Sequence, residues 1–157
     1  MSAAILLSGL PAFCQEVKYG TIYIKHPYIE VVNEATNDFI AGNFSRTYSY
    51  YADTTMWWIS GLKKIIPIAE AVKRWEGNFV IVKQVPNGYP DYLHYIKNNS
   101  MVVQSWWTLT AKSKKTNEVA IIPMAMFDWF NTDGKMTREF IYEDFSKLFA
   151  DCIRIMK

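Results

Sequence analysis

Histidine, cysteine and glycine are all scarce in this chain of 157 residues, which has 2 His, 2 Cys and 7 Gly. Neither His26 nor His94 has a partner at metal-ligand spacing, so no metal site is expected. Cys14 and Cys152 are too few for a disulfide framework, and loss of Cys14 with an N-terminal segment would leave no internal pair at all. The glycines do not gather into a phosphate-cradling loop and there is no serine nucleophile elbow, so no cofactor is expected. Charge of one sign is also missing. Seventeen basic against fifteen acidic residues leave a net charge of +2, too balanced to track a phosphate backbone, which argues against nucleic acid as a partner. No apolar run approaches the roughly 20 residues that a membrane-spanning helix requires, so no membrane span is expected.

What the chain does have is bulk. Half of it is hydrophobic and 16% is aromatic, enough to bury one core and to line a cleft with large side chains. One domain over residues 16–157 is expected, preceded by residues 1–15. That leading segment runs apolar and uncharged from Ala3 to Phe13 and turns polar at Gln15. It reads as the hydrophobic part and cleavage zone of an export signal, with Ala12 and Cys14 at the small-residue positions. The expected location is therefore periplasmic or secreted. Met1-Ser2 carries no basic residue, so the start is expected further upstream. A buried N-terminal element in a cytoplasmic protein is the alternative, disfavoured by Gly9 and Pro11, and bulky Phe13 disfavours a lipid anchor on Cys14.

Along the chain, Ile29, Val32, Thr36, Phe39 and Ile40 recur at helical spacing and predict an amphipathic helix over 28–40 that stops at Gly42. A short helix is expected over 45–51, then a turn or cap at Asp53 and a strand over 54–59. Ile65, Ile68, Ala69, Val72 and Trp75 form a further helical stripe that ends at Gly77, with Pro67 at its kink or its start. Five strand-like segments follow, over 78–85, 92–97, 101–111, 119–130 and 136–142, separated by short polar turns of hairpin length. Helices first and a meander afterwards is an α+β order with one antiparallel sheet, and a short C-terminal helix is expected through Ile155.

The text Tyr-Tyr-Ala-Asp-Thr-Thr-Met-Trp-Trp at 50–58, Val-Lys-Arg-Trp at 72–75 and Thr-Asp-Gly-Lys-Met-Thr-Arg-Glu-Phe-Ile-Tyr-Glu-Asp at 132–144 resembles the nuclear transport factor 2-like superfamily, particularly its SnoaL-like members. The resemblance covers about 28–149. It implies N-terminal helices packed on a curved, mainly antiparallel sheet that forms a cone-shaped pocket, and a homodimer through the sheet. Ketosteroid isomerases, polyketide cyclases, dehydratases and binding domains share that fold, so the fold does not choose among them. Isomerase-like members carry a catalytic carboxylate a few residues beyond the Tyr-Ala-Asp turn, where this chain reads Trp57-Trp58-Ile59-Ser60. Cyclase-like members often carry His and Asp in the last strand, where it reads Arg138-Glu139-Phe140-Ile141-Tyr142 and the usual acid position falls on Ile141.

Among individual residues, His94 and Asp53 are the catalytic candidates, His94 because imidazole titrates near neutrality and Asp53 against the plainer reading of a turn residue. Ligand contacts are expected from Trp57, Tyr92, His94, Gln104, Trp106 and Tyr142, with Glu139 near the pocket mouth. Gln104 and Trp106 share one strand face and Ser105 and Trp107 the other, and the alternation leaves open which of the two lines the pocket. Lys112, Lys114 and Lys115 read as a solvated hairpin tip. The expected function is an exported protein that binds a small apolar or aromatic molecule without turnover. A lyase or isomerase working by acid–base chemistry and a dimeric association module are the alternatives.

Overall fold

In the computed structural model the described residues are 19–143. The apolar N-terminal run, Cys14, Cys152 and the expected C-terminal helix lie outside them.

The first helical stripe becomes α1 (Pro27–Ile40), which opens with His26 as N-cap, its ring nitrogen accepting the Tyr28 N–H at 3.2 Å, and with Pro27 where no N–H is needed. It ends at Ala41, and Gly42 takes a positive φ of 74° that a side chain would resist. Ile29, Val32 and Thr36 are buried, as the spacing predicts, and Ala35 is buried with them. The second helix, α2 (Phe44–Tyr48), is shorter than expected because Tyr51 already belongs to strand β2 (Tyr51–Ile59). Asp53 is therefore neither a turn nor a cap. It lies exposed within β2, where an irregularity between Tyr51 and Met56 absorbs the extra residues. Pro67 stands at the N-cap of α3 (Ile68–Asn78), so it starts that helix rather than kinking it.

The expected strands appear as β4 (Phe79–Pro86), β5 (Asp91–Tyr95), β6 (Ser100–Ser113), β7 (Val119–Phe130) and β8 (Met136–Glu143). Two short strands went unforeseen: β1 (Gly20–Tyr23), which pairs with β5, and β3 (Ile66–Pro67), which pairs with β2. Neither has the length or the alternation that announces a strand. Together they make one sheet of eight strands in the order β1-β5-β6-β7-β8-β2-β3, with β4 beside the far half of β6. All pairings are antiparallel except β2 with β8, because the helices and the whole meander intervene between them.

The helices cover one face of this curved sheet. Ile68, Ala71, Val72 and Trp75 of α3 pack with Trp57, Leu109, Ile122, Met124 and Ile141 in the larger core cluster. Ile29, Val32 and Ala35 of α1 pack with Tyr92, Val103, Phe130 and Met136 in the second. Burying such a set of aliphatic and aromatic side chains stabilises the fold by about 1.5–3 kcal/mol each.

Candidate functional site

Strand alternation decides which side chains enter the space between helices and sheet. On β7 the residues Ile122, Met124, Met126, Asp128 and Phe130 are buried while their neighbours are exposed or partly so. Asp128 thus occupies a place in an otherwise apolar inward row. On β8 the inward residues include Glu139 and Ile141. The register sets Asp128 directly opposite Glu139, Glu139 beside Trp57, Asp128 beside Val103 and Val103 beside Tyr92. One row therefore crosses five strands as Tyr92, Val103, Asp128, Glu139 and Trp57.

Asp128 and Glu139 are 0% and 5% exposed. The Tyr51 hydroxyl donates to Glu139 Oε2 at 2.5 Å and the Trp57 indole N–H donates to Oε1 at 2.7 Å, so both oxygens of Glu139 are satisfied. Neither oxygen of Asp128 receives a protein hydrogen bond. Carboxylates face to face on neighbouring strands repel each other, and burial magnifies the repulsion. A proton on Asp128, directed at Glu139, resolves the conflict. Burial first, and then the charge of Glu139, push the Asp128 carboxyl well above the usual carboxylate range. Burial also raises Glu139, but the hydrogen bonds from Tyr51, Trp57 and Asp128 oppose that rise, so the shared proton belongs on Asp128. Tyr51 is itself pushed well above the ordinary phenol value, by burial and then by the two acids, and stays a donor.

This pair forms part of the wall of a cavity of about 60 Å³. By the volume a water molecule needs, it holds about four waters or one small organic molecule. Phe39, Trp57, Val72, Trp75, Leu109, Met124 and Met126 are among its apolar walls. Among the described residues no Lys, Arg or His lines it, and no group of acids, histidines and cysteines there has the make-up of a metal site.

Of the residues singled out from the sequence, Trp57 lines the cavity. Tyr92 is buried at the other end of the same row, stacked on His26 at 3.6 Å between ring centres. His94 is half-buried and its Nε2 sits 2.7 Å from Asn99 Oδ1, away from the cavity walls. Gln104 and Trp106 lie on the outer face of β6, and Ser105, Trp107 and Leu109 take the inner one. Tyr142 is also outside, edge-on to Trp58 and Phe127. Asp53 is exposed. Glu139 lies in the buried row rather than at a mouth, and with Asp128 it places two acids in the cavity wall. A signal for Asp128 was present: an acid in phase with Ile122, Met124, Met126 and Phe130.

No protein-family model matches the chain, and no curated protein matches it in sequence. Solved structures do. A candidate polyketide cyclase from Xanthomonas campestris pv. campestris superposes with a TM-score of 0.61 at 11% identity, over 82% of this chain and 98% of that one. An NTF2-like protein of unknown function from Burkholderia pseudomallei K96243 gives 0.60 at 12% identity, over 80% and 96%. A protein of ketosteroid isomerase-like fold from Catenulispora acidiphila DSM 44928, solved with trimethylamine, gives 0.59 at 12% identity, over 77% and 90%. The fold is that of the nuclear transport factor 2-like superfamily.

Proposed function

We propose that the chain is an acid–base enzyme of isomerase or lyase type, which binds a small molecule in the cone and exchanges one proton with it through Asp128 and Glu139. The observation that carries this reading is the wholly buried carboxyl pair in the wall of an apolar cavity. Binding without turnover was the natural expectation for a pocket without acids, and this pocket has two. Its volume of about 60 Å³ also favours a small guest over a bulky aromatic one. Fold neighbours described as candidate cyclases, and one solved with trimethylamine, are in keeping with a small-molecule site.

In this reading Asp128 is the acid. Its O–H bond breaks as the proton passes to a basic atom of the ligand, leaving two buried carboxylates side by side. That state favours prompt return of a proton from a second ligand atom, and one proton out with one proton in isomerises the ligand or completes an elimination. Tyr51 and Trp57 are positioning residues that keep Glu139 charged and still. Carboxyl NMR titration of protein labelled at Asp and Glu tests the pair. One carboxyl titrating well above the ordinary range, and missing in Asp128→Asn, is expected; ordinary titration of both acids sinks the proposal. Turnover is read as deuterium uptake from D₂O at carbon, in a panel of small carbonyl compounds and amines, above the rate without protein, present with the wild type and lost in Asp128→Asn.

A second reading concerns partners. Trp58, Phe127, Trp129, Phe140 and Tyr142 interlock on the outer sheet face, with the Arg138 guanidinium 5.5 Å from the Trp129 ring centre. An aromatic patch of this kind suits a second copy of the chain. Sedimentation should give a dimer that Phe140→Glu dissociates, and a monomeric wild type refutes it. Export remains part of the proposal, on the apolar run from Ala3 to Phe13. A mature mass beginning near Gln15 in the exported fraction supports it, and retention of that run in a cytoplasmic product refutes it.

A further inference from the structure

We infer that the molecule this cavity takes is a small organic amine, bound as its ammonium ion against Asp128 and Glu139. The inference rests on the dyad cavity being the ligand site and names the group by which the ligand is held; an ammonium nitrogen has no free electron pair, so the proton of the proposed reaction passes to another atom of the ligand. Charge is the first argument. With one proton shared, the pair keeps one negative charge in full burial, and among the described residues lining the cavity no Lys, Arg or His offsets it. Tyr51 and Trp57 give Glu139 hydrogen bonds but no positive charge. A buried charge without a counter-ion is costly, and a cationic guest removes that cost where a neutral guest leaves it and an anion worsens it.

Hydrogen bonding is the second argument. Asp128 lines the cavity at 0% exposure with no protein donor on either oxygen. One oxygen can carry the proton toward Glu139, and the other is left as an acceptor in want of an N–H. A carbonyl ligand brings only a further acceptor, and could be served only by drawing the proton away from Glu139. An ammonium group brings donors. The walls agree, because Phe39, Trp57 and Trp75 are among them and aromatic rings are favourable neighbours for a cation. A bare metal ion fits poorly, since the described residues hold no set of three ligating side chains.

Calorimetric titration of the full chain at neutral pH with isobutylamine, isobutanol, isobutyramide and isobutyrate tests this on four guests of nearly equal size. Isobutylamine should bind about ten-fold or more tightly than isobutanol, with isobutyrate weakest. In the double variant Asp128→Asn/Glu139→Gln the amine should lose that advantage while isobutanol binds as before, which also reports an intact cavity. If the double variant does not fold, the wild-type ranking alone decides. Isobutanol or isobutyramide matching the amine, or no amine binding, overturns the inference. The proton-transfer reading survives either result if one wild-type carboxyl still titrates far above the ordinary range, and falls with it if none does.

Discussion

Asp128→Asn keeps the size and shape of the side chain and removes one of two ionisable groups from a site that water does not reach. The sign of its effect depends on pH. A carboxyl whose folded pKa lies above its unfolded one holds its proton more tightly in the folded state. Its stabilising contribution is complete below the unfolded pKa of about 3.9 and is lost as pH rises through the folded value. Asp128 is raised well above the ordinary value by burial and by Glu139, so the wild type should weaken toward alkaline pH as a second charge is forced beside the first. The asparagine amide can donate to Glu139 as the Asp128 proton does and never ionises. Relieving a buried charge of this kind is worth about 2 kcal/mol, which in a chain of this length moves Tm by about 4–8 °C. Calorimetry of both proteins at about pH 4 and about pH 9, at one ionic strength, measures the difference. Taking the difference cancels groups that do not interact with the pair, including His26, whose pKa burial and then His94 depress and which acts in the opposite direction as pH falls. The expected result is near equality at the lower pH and a more stable variant at the higher one. A variant equally destabilised at both, or a wild type no weaker at about pH 9, refutes the proton-sharing pair.

Trp57→Phe removes the 2.7 Å donor to Glu139 Oε1 and should cost about 2 kcal/mol in urea denaturation, more at alkaline than at acid pH, where a protonated Glu139 needs the donor less. Leu109→Ala deletes a side chain that is 2% exposed in the cavity wall and should cost about 2–5 kcal/mol while admitting larger apolar guests, read by the affinity for a longer alkylamine. His94→Ala should change stability by less than about 1 kcal/mol and leave the titration of Asp128 unaltered, because its ring meets Asn99 and not the cavity. A shifted dyad titration in that variant would show His94 coupled to the site after all.

The elements were legible wherever period and punctuation agreed. Helix α1 could be read from its apolar stripe and Gly42, and β6, β7 and β8 from alternation bounded by polar turns. Strands β1 and β3 could not, since four and two residues are too few to show a period and exist only through their pairing with β5 and β2. The site was less legible because it depends on register. In β6 the choice between Gln104 with Trp106 and Ser105 with Trp107 is a choice of face, and alternation alone has no sign. Only the helices on one side of the sheet fix Ser105, Trp107 and Leu109 as the inner set. Asp128 and Glu139 are eleven positions apart in sequence, and nothing local shows that they face each other until the turn between β7 and β8 is placed.

That placement also explains why two acids in one row do not behave alike. β8 lies between β2 and β7, so Glu139 has Trp57 on one side and Asp128 on the other, with Tyr51 reaching it from the start of β2. Asp128 has Glu139 on one side and Val103 of β6 on the other, and valine has no hydrogen to donate. The order of the strands thus gives every available donor to one acid and none to its neighbour. The acid with two donors keeps its charge more easily, and the acid with none keeps the proton. Leucine at both positions would give a more stable core, because buried carboxyls of this kind are often better replaced by apolar groups. A fixed anion beside a carboxyl that retains its proton, in the wall of a small and mainly apolar cavity, is instead what proton exchange with a bound molecule needs.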